Sequence, residues 1–153
     1  MKFRLTAALA GAGSAALLLG AWGSQYIGGL APCHLCLIQR WPHAAAVLIA
    51  VAAVASGKRI LALPGALAAL ITAGYGIYHT GVERGIFEGP TSCTSSGTAN
   101  MTPDQLLDHI LNAPLVQCDV VAFEFLGLSM ASWNAIFSLL LAGLWLWAWR
   151  RAD

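Results

Sequence analysis

Three long stretches of this chain are apolar and carry no charge, and they limit the possible folds more than any other feature. They cover residues 5–27, 60–78 and 133–149. A helix needs roughly 20 apolar residues to cross the hydrocarbon core of a bilayer. Only helices and closed barrels satisfy their own backbone hydrogen bonds there. Because each stretch is close to that length, the pattern predicts membrane-spanning helices.

A fourth span is predicted between the first two stretches. The apolar run 44–55 is too short alone, but extending it back through Arg40 to Cys36 makes it long enough. With 58% apolar and 10% charged residues, the chain lacks the polar exterior of a soluble helical domain. We therefore predict one all-α membrane domain over 1–153, a four-transmembrane-helix bundle. Its helices are expected at roughly 5–27, 36–56, 60–78 and 131–149, with outward-facing loops at roughly 28–35 and 79–130.

The first stretch also has features of a secretory signal, since Lys2 and Arg4 precede it and small residues lie near its end. However, it is longer than a normal signal core, and further spans follow it. We therefore predict a retained helix. Small residues recur at every fourth position, which favours close helix packing. This stripe consists of Ala8, Ala12, Ala16, Gly20 and Ser24.

The basic residues predict the orientation of the bundle. They form three groups at alternate ends of the spans: Lys2 with Arg4, Lys58 with Arg59, and Arg150 with Arg151. The positive-inside rule places these groups, and both termini, in the cytoplasm. The loops that contain the cysteines then face outward, which in a bacterial inner (cytoplasmic) membrane means the periplasm. The charge distribution gives no indication of nucleic-acid binding.

All four cysteines fall on the predicted outer side: Cys33, Cys36, Cys93 and Cys118. Disulfides persist in an oxidising periplasm, so two disulfides are expected. Both could simply staple the loops. Against this, a Cys-x-x-Cys ring is too small to constrain the unfolded chain much, and its spacing is typical of redox-active dithiols. A zinc site is a weaker alternative, because Cys93 and Cys118 lack the tight spacing of a metal knuckle.

Arg40 supports the redox interpretation. If the second helix begins near Cys36, Arg40 lies one turn later on the same face. A guanidinium group and a helix N-terminus both favour thiolate over thiol. A charge at membrane depth is costly and usually has a function. The alternative is that Arg40 only snorkels to the interface beside Trp41.

His79 and Met130 are predicted at the outer ends of the third and fourth spans. Together with Cys36 and Arg40, they could enclose one small site at the outer membrane surface. A donor or charge beside an apolar slot is what a lipid-soluble carbonyl compound such as a quinone needs. The alternative for His79 and Met130 is that each only fills the interface.

The long outer loop contains a predicted helix start. Thr102 is a suitable N-cap, Pro103 suits the first helical position, and Gln105 completes a capping box. The apolar residues that follow predict a short amphipathic helix over 103–112. It is expected to lie on the membrane or on the outer face of the protein itself.

Three stretches in this order resemble the disulfide bond formation protein B (DsbB) family. They are CHLCLIQRWP at 33–42, HTGVE at 79–83 with GPTSC at 89–93, and Cys118-Asp followed by FLGLSM at 125–130. The resemblance covers nearly the whole chain. It implies a membrane enzyme that reoxidises a periplasmic thioredoxin-fold protein, DsbA. The electrons are expected to pass to a membrane quinone, ubiquinone or menaquinone, without a metal.

The resemblance also implies the pairs Cys33–Cys36 and Cys93–Cys118 and an order of transfer. The partner's thiolate is expected to attack Cys93, and Cys118 then reaches Cys33. This frees Cys36 as a thiolate next to the quinone ring.

Three further roles follow from the same resemblance. Arg40 is expected to stabilise that thiolate and polarise the quinone, with His79 close to the ring and Met130 shaping the pocket.

Two alternatives for the function of the chain stay open. One is a vitamin K epoxide reductase-like enzyme, whose active pair is expected later in the chain. The other is a non-enzymatic membrane scaffold with two structural disulfides.

Overall fold

Four long helices form the structure, a computed structural model that describes residues 2–90, 93, 102–105, 107 and 116–150. They are α1 (Lys2–Tyr26), α2 (His34–Ser56), α3 (Ala62–Glu83) and α4 (Met130–Arg150), and a short 3₁₀ turn at Arg59–Leu61 precedes α3. Each is long and apolar enough to cross a membrane, with the 3₁₀ turn included in the third span. The predicted four-helix membrane bundle is therefore confirmed.

The helix ends differ from the sequence prediction by up to five residues, and two of these differences affect the site. Helix α2 begins at His34 with Cys33 as its N-cap, and α3 continues past the predicted end at Tyr78 to Glu83. The carboxylate of Glu83, the last residue of α3, accepts a hydrogen bond from the Ser129 hydroxyl. His79 therefore lies inside α3, where its backbone is fixed by the helix.

The helices pack through small residues, as expected where lipid gives no hydrophobic driving force between helices. Most buried residues of the central cluster are alanines, with Phe3 and Trp145 as the large exceptions. Helices α3 and α4 come especially close at Gly76. A Cβ atom there would lie 3.0 Å from the backbone nitrogen of Ala135. Close backbone approach is thus a property of the bundle.

The small-residue stripe predicted for α1 is not its packing face. The buried face of α1 consists of Phe3, Thr6, Ala7, Ala10, Gly11, Ser14 and Leu18. Of the predicted stripe, Ala8, Ala12, Ala16 and Gly20 are exposed. The buried residues follow alternating three- and four-residue spacing, which keeps to one side of a 3.6-residue helix, whereas a strict four-residue spacing drifts around it.

A small β-hairpin precedes α4, although the sequence analysis predicted no strands. Strands β1 (Glu124–Phe125) and β2 (Leu128–Ser129) are antiparallel. Leu126 and Gly127 join them with φ values of 52° and 76°, as in the two-residue turns that favour hairpins. The Trp133 indole N–H donates to the Phe125 carbonyl at 3.0 Å. The hairpin is therefore held against the first turn of α4.

The predicted capping box in the outer loop is confirmed. The Gln105 backbone N–H donates to the Thr102 hydroxyl at 3.4 Å, and the Thr102 N–H donates to the Gln105 side-chain oxygen at 3.0 Å. Residues 103–105 are helical. Most of the amphipathic helix predicted over 103–112 lies outside the described residues.

The orientation of the bundle stays a prediction, and two exposed positions test it. Lys58→Cys and Val120→Cys are each introduced into a chain whose four cysteines are replaced by serine. The positive-inside rule predicts that a membrane-impermeant maleimide labels only Val120→Cys in intact cells. Lys58→Cys should react only after the membrane is permeabilised. Labelling of Lys58→Cys in intact cells would reverse the topology.

Candidate active site

Cys33 and Cys36 occupy the first turn of α2. Cys33 is the N-cap in an extended conformation, and its Sγ accepts a hydrogen bond from the Cys36 backbone N–H at 3.2 Å. The two Sγ atoms lie 2.8 Å apart. Cys33 is buried and Cys36 is half-buried. Backbone donors and the positive end of the helix dipole therefore meet at this pair, which favours negative charge on sulfur.

The structure holds this pair as two free cysteines. The Cys33 thiol donates a hydrogen bond to the Cys36 Sγ. That hydrogen bond, together with burial, raises the pKa of the Cys33 thiol. Cys33 thus keeps its proton, and Cys36 is the sulfur that receives a hydrogen bond. The disulfide stays a prediction for the oxidised state of the pair.

Cys93 and Cys118 are joined by a disulfide, which is the pairing that the resemblance implied. The Cys118 backbone N–H also donates to the Cys93 carbonyl at 2.6 Å. Both residues are almost fully buried, with exposed fractions of 1% and 0%. The resemblance implies that a partner's thiolate attacks Cys93, and the observed burial of this sulfur restricts such an attack. A protein thiolate can reach Cys93 only after local movement.

The two cysteine pairs meet in space. The sulfur of Cys33, the sulfur of Cys118 and a ring nitrogen of His79 all lie within 4.8 Å of one another. Leu35 and Val82 pack around them in one buried cluster. Because the Cys118 sulfur is already bonded to Cys93, this trio is not a set of free thiolate metal ligands in the observed state. The short distance between the sulfur atoms of Cys33 and Cys118 is suited instead to thiol–disulfide exchange between the two cysteine pairs.

His79 is at the centre of these contacts and is buried. Its Nε2 lies 3.5 Å from the Cys33 Sγ and 3.9 Å from a Glu83 carboxylate oxygen. Its Nδ1 lies 3.0 Å from the Gln39 side-chain nitrogen. The sequence predicted His79 as a pocket residue, and the structure also places it between the two cysteine pairs.

A cavity of about 330 Å³ lies beside Cys36. Its walls are largely apolar and come mostly from α1, α2 and α4, with His79 of α3 and with residues of the two segments 30–32 and 122–123. Cys36, Arg40, His79 and Met130, which the sequence analysis grouped at one site, all line this cavity. The structure therefore brings the four predicted residues together.

Arg40 is held by the first helix. Its guanidinium group donates to the Gln25 side-chain oxygen at 2.6 Å and to the Ala21 carbonyl at 3.4 Å. Its Nε is buried and has no hydrogen-bond partner within the part of the chain that the structure describes. Sequence reasoning missed Gln25, although an amide near the end of an apolar span was an available signal.

Sequence reasoning also missed a polar network beneath the cysteines. It joins Gln39, His43, Thr72 and Asn134 through side-chain hydrogen bonds of 2.7–3.2 Å. Gln39, His43 and Thr72 are buried, and Asn134 is partly buried. Uncharged polar residues inside apolar spans were the available signal, because such groups need partners within the membrane. Which residues would pair could not be inferred without the helix arrangement.

Comparison with known proteins agrees with this geometry. A model of the family described as "Disulfide bond formation protein DsbB" matches residues 3–148. The chain belongs to the DsbB family. It is therefore a disulfide-forming membrane oxidoreductase, and the vitamin K epoxide reductase-like and scaffold alternatives are set aside.

Several curated proteins named "Disulfide bond formation protein B" are similar to this chain. The one from Methylococcus capsulatus is 35% identical over 147 residues, covering 91% of this chain and 89% of the relative. The one from Albidiferax ferrireducens is 28% identical, with 84% and 78% covered. The one from Acidovorax sp. is 27% identical, with 88% and 80% covered. No solved structure is significantly similar to the chain.

The geometry of the dithiol predicts unequal reactivity of Cys33 and Cys36. With the pKa of Cys33 raised, this thiol stays protonated as the pH rises through the usual thiol range. We call Cys33 and Cys36 the inner pair. In protein isolated with the inner pair reduced, iodoacetamide should therefore modify Cys36 first, and Cys33 only at strongly alkaline pH. Peptide mapping by mass spectrometry over a pH series measures both.

A variant provides the control for this prediction. Cys36→Ala removes the sulfur that accepts the Cys33 hydrogen bond, so the pKa of Cys33 should fall towards its usual range. Alkylation of Cys33 should then begin at lower pH. An unchanged Cys33 profile in Cys36→Ala would contradict the role of that hydrogen bond.

Proposed function

We propose that the protein reoxidises a periplasmic dithiol oxidase of the DsbA type and passes the electrons to membrane quinone. The observation that carries this proposal is the separation of at most 4.8 Å between the sulfur atoms of Cys33 and Cys118. Thiol–disulfide exchange requires direct approach of one sulfur to another. With the two pairs this close, a small movement is enough for electrons to pass between them.

The exchange begins at Cys93 and Cys118, the outer pair. A thiolate of the partner attacks the Cys93 Sγ, so a partner–Cys93 bond forms and the Cys93–Cys118 bond breaks. The electron pair leaves on the Cys118 Sγ. The Cys118 thiolate then attacks Cys33 of the oxidised inner pair, the Cys33–Cys118 bond forms, and the Cys33–Cys36 bond breaks. Cys36 carries the negative charge after this step.

The outer pair is then restored. The second thiolate of the partner attacks its mixed disulfide and leaves as an oxidised protein, which frees Cys93. The Cys93 thiolate attacks Cys118, the Cys93–Cys118 bond reforms, and the electron pair leaves on Cys33. The result is an oxidised outer pair beside a reduced inner pair.

The cavity next to Cys36 fits the head group of ubiquinone or menaquinone. Its volume of about 330 Å³ lies within the range of small-molecule sites, which are mostly apolar with a few polar groups. A bound quinone supplies an acceptor for two electrons and two protons. Arg40 lines this cavity and contributes a positive charge to it. Met130 and Phe123 contribute apolar walls.

The proposed location of the cysteines at the periplasmic side of the inner membrane is compatible with quinone as the electron acceptor. The positive-inside pattern supports an inner-membrane location with the cysteines on the periplasmic side. DsbA is a strong oxidant, with a potential of about −120 mV, so reoxidising such a partner requires an acceptor stronger than the glutathione pool. A respiratory quinone dissolved in the membrane meets this requirement.

Replacing Cys118 by serine tests the order of transfer. Without the Cys118 sulfur, the partner should stay attached to Cys93 as a long-lived mixed disulfide. Non-reducing gels and mass spectrometry of the linked peptides identify the attachment point. Adding Cys93→Ser should abolish the linked species. Attachment of the partner to Cys33 would overturn the proposed order.

Arg40→Ala tests the quinone site. A hydrogen bond to a charged group contributes about 1.5–3 kcal/mol, so the KM for quinone should rise on the order of 10- to 100-fold. Arg40→Lys should recover only part of this, because lysine lacks the planar fork. Steady-state kinetics with varied quinone measure the effect, and a separate assay of exchange at Cys93 should show little change.

Arg84→Ala is the matched control for the quinone experiment. It also removes one positive charge on the outer side, but Arg84 is exposed and does not line the cavity. Its quinone KM should stay at the wild-type value. Unchanged quinone kinetics in Arg40→Ala would reduce Arg40 to an interfacial anchor.

A further inference from the structure

We infer that Gln39 is a positioning residue that holds His79 in the tautomer with its proton on Nε2, directed at the sulfur atoms of Cys33 and Cys118. The inference rests on the proposed exchange between Cys118 and Cys33 and deepens it. It depends on the hydrogen-bond directions that the buried network allows.

The backbone carbonyl of Leu35 determines the orientation of the Gln39 amide. The Gln39 side-chain nitrogen lies 3.1 Å from the Leu35 oxygen. A carbonyl oxygen can only accept, so the group facing it must be the NH₂ end of the amide. The Gln39 oxygen then faces the Asn134 side-chain nitrogen at 2.7 Å, which donates to it. A flipped amide would place two acceptors together at Leu35 and two donors together at Asn134.

The second proton of the Gln39 NH₂ group determines the state of His79. The Gln39 nitrogen lies 3.0 Å from the His79 Nδ1. Because the amide nitrogen is a donor, Nδ1 must be the acceptor and carries no proton. In a singly protonated imidazole the proton is then on Nε2. One backbone carbonyl on α2 thus decides which nitrogen of a histidine on α3 is protonated.

The surroundings of Nε2 agree with a donor at that position. The Cys33 Sγ is 3.5 Å away, and this sulfur uses its own proton towards Cys36. A Glu83 carboxylate oxygen is 3.9 Å away. The backbone of Cys118 also faces the ring, and its N–H is already used by Cys93, so only its carbonyl is available as an acceptor.

The other side of the network prevents the Gln39 amide from rotating. The second Asn134 N–H faces the Thr72 hydroxyl at 3.2 Å, and that hydroxyl donates to the Gln39 backbone carbonyl at 3.1 Å. The Asn134 oxygen accepts from the His43 Nε2 at 2.9 Å. Each donor named here has an acceptor, so reversing the Gln39 amide would break its contacts with Leu35 of α2, His79 of α3 and Asn134 of α4.

The chemical consequence concerns the sulfur that leaves. When the Cys93 thiolate attacks Cys118, the Cys118–Cys33 bond breaks and the electron pair goes to the Cys33 Sγ. A His79 Nε2–H directed at this sulfur donates a hydrogen bond to the developing thiolate. A ring with its proton on Nδ1 would present a lone pair there and oppose the charge. Gln39 therefore acts on the exchange rate through His79, without contacting sulfur itself.

The tautomer is measured directly by nitrogen-15 NMR of the full-length protein with labelled histidine, in detergent or nanodiscs. The His79→Asn variant assigns the His79 signals. In the wild-type protein, His79 should show an unprotonated Nδ1 and a protonated Nε2. In Gln39→Met, which keeps the length of the side chain but has no amide, the Nδ1-protonated form should appear. A wild-type ring protonated on Nδ1 alone would overturn the inference.

The rate effect is measured without quinone or partner. In a chain with Cys36→Ser and Cys93→Ser, only Cys33 and Cys118 can form a disulfide, and dithiothreitol reduces it at a measurable rate. Gln39→Met should slow this reduction by about 10- to 100-fold, the range seen when a histidine loses its orienting partner at metal sites. Thr80→Val, which removes the 3.1 Å hydroxyl contact with Ser132 beside His79 but none of the contacts of Gln39, should retain the wild-type rate.

A double-variant comparison separates positioning from general loss of structure. If Gln39 acts through His79, then Gln39→Met should add nothing in a His79→Asn background. Equal slowing in both backgrounds, or slowing by Thr80→Val as large as that by Gln39→Met, would overturn the inference. Failure of Cys33 and Cys118 to form any disulfide would instead count against the proposed exchange, while the tautomer measurement would still test Gln39.

Discussion

Lipid offers no hydrogen-bond partner, so polar side chains inside this bundle must satisfy one another across helices. Gln39 on α2, Thr72 on α3 and Asn134 on α4 do so in one connected set. These hydrogen bonds connect the three helices to one another. The position of His79 beside Cys33, and hence the meeting of the two cysteine pairs, depends on this arrangement.

Arg40 carries a positive charge in a membrane-spanning helix, where an unpaired charge is energetically unfavourable. Among the described residues, its guanidinium group is held by neutral oxygens of Gln25 and Ala21, and no carboxylate forms an ion pair with it. A charge at this depth without a counter-ion favours an electron-rich group nearby. The Cys36 sulfur, which lines the same cavity, is such a group. The positive charge of Arg40 therefore favours a negative charge on the Cys36 sulfur. It does not stabilise the bundle through an ion pair.

Burial of the outer disulfide has a consequence for how the proposed cycle is controlled. Cys93 and Cys118 are almost fully buried in the same cluster as Cys33, and the sulfur of Cys118 lies within 4.8 Å of the sulfur of Cys33. A partner must displace local contacts to reach Cys93, whereas Cys118 needs only a short movement to reach Cys33. Transfer within the protein is thus favoured by proximity, and reaction with other thiols is restricted by access.

Periodicity and charge in the sequence were enough to determine the four spans, because the bilayer imposes one length and one polarity on any helix that crosses it. Cysteine spacing and local motifs also identified Cys36, Arg40, His79 and Met130 as neighbours, since each lies near the outer end of a span. The family was recognisable from ordered motifs. The packing face of α1 was predicted wrongly, and the hairpin before α4 and the extension of α3 were not predicted. The hairpin and the end of α3 make the contacts of Trp133 with Phe125 and of Ser129 with Glu83, which join residues of different elements. Only the tertiary structure could decide that Gln39 faces His79 and that Cys118 lies against Cys33. The sequence determined which residues enter the membrane and at what depth, but their hydrogen-bond partners depend on how the helices are rotated against one another.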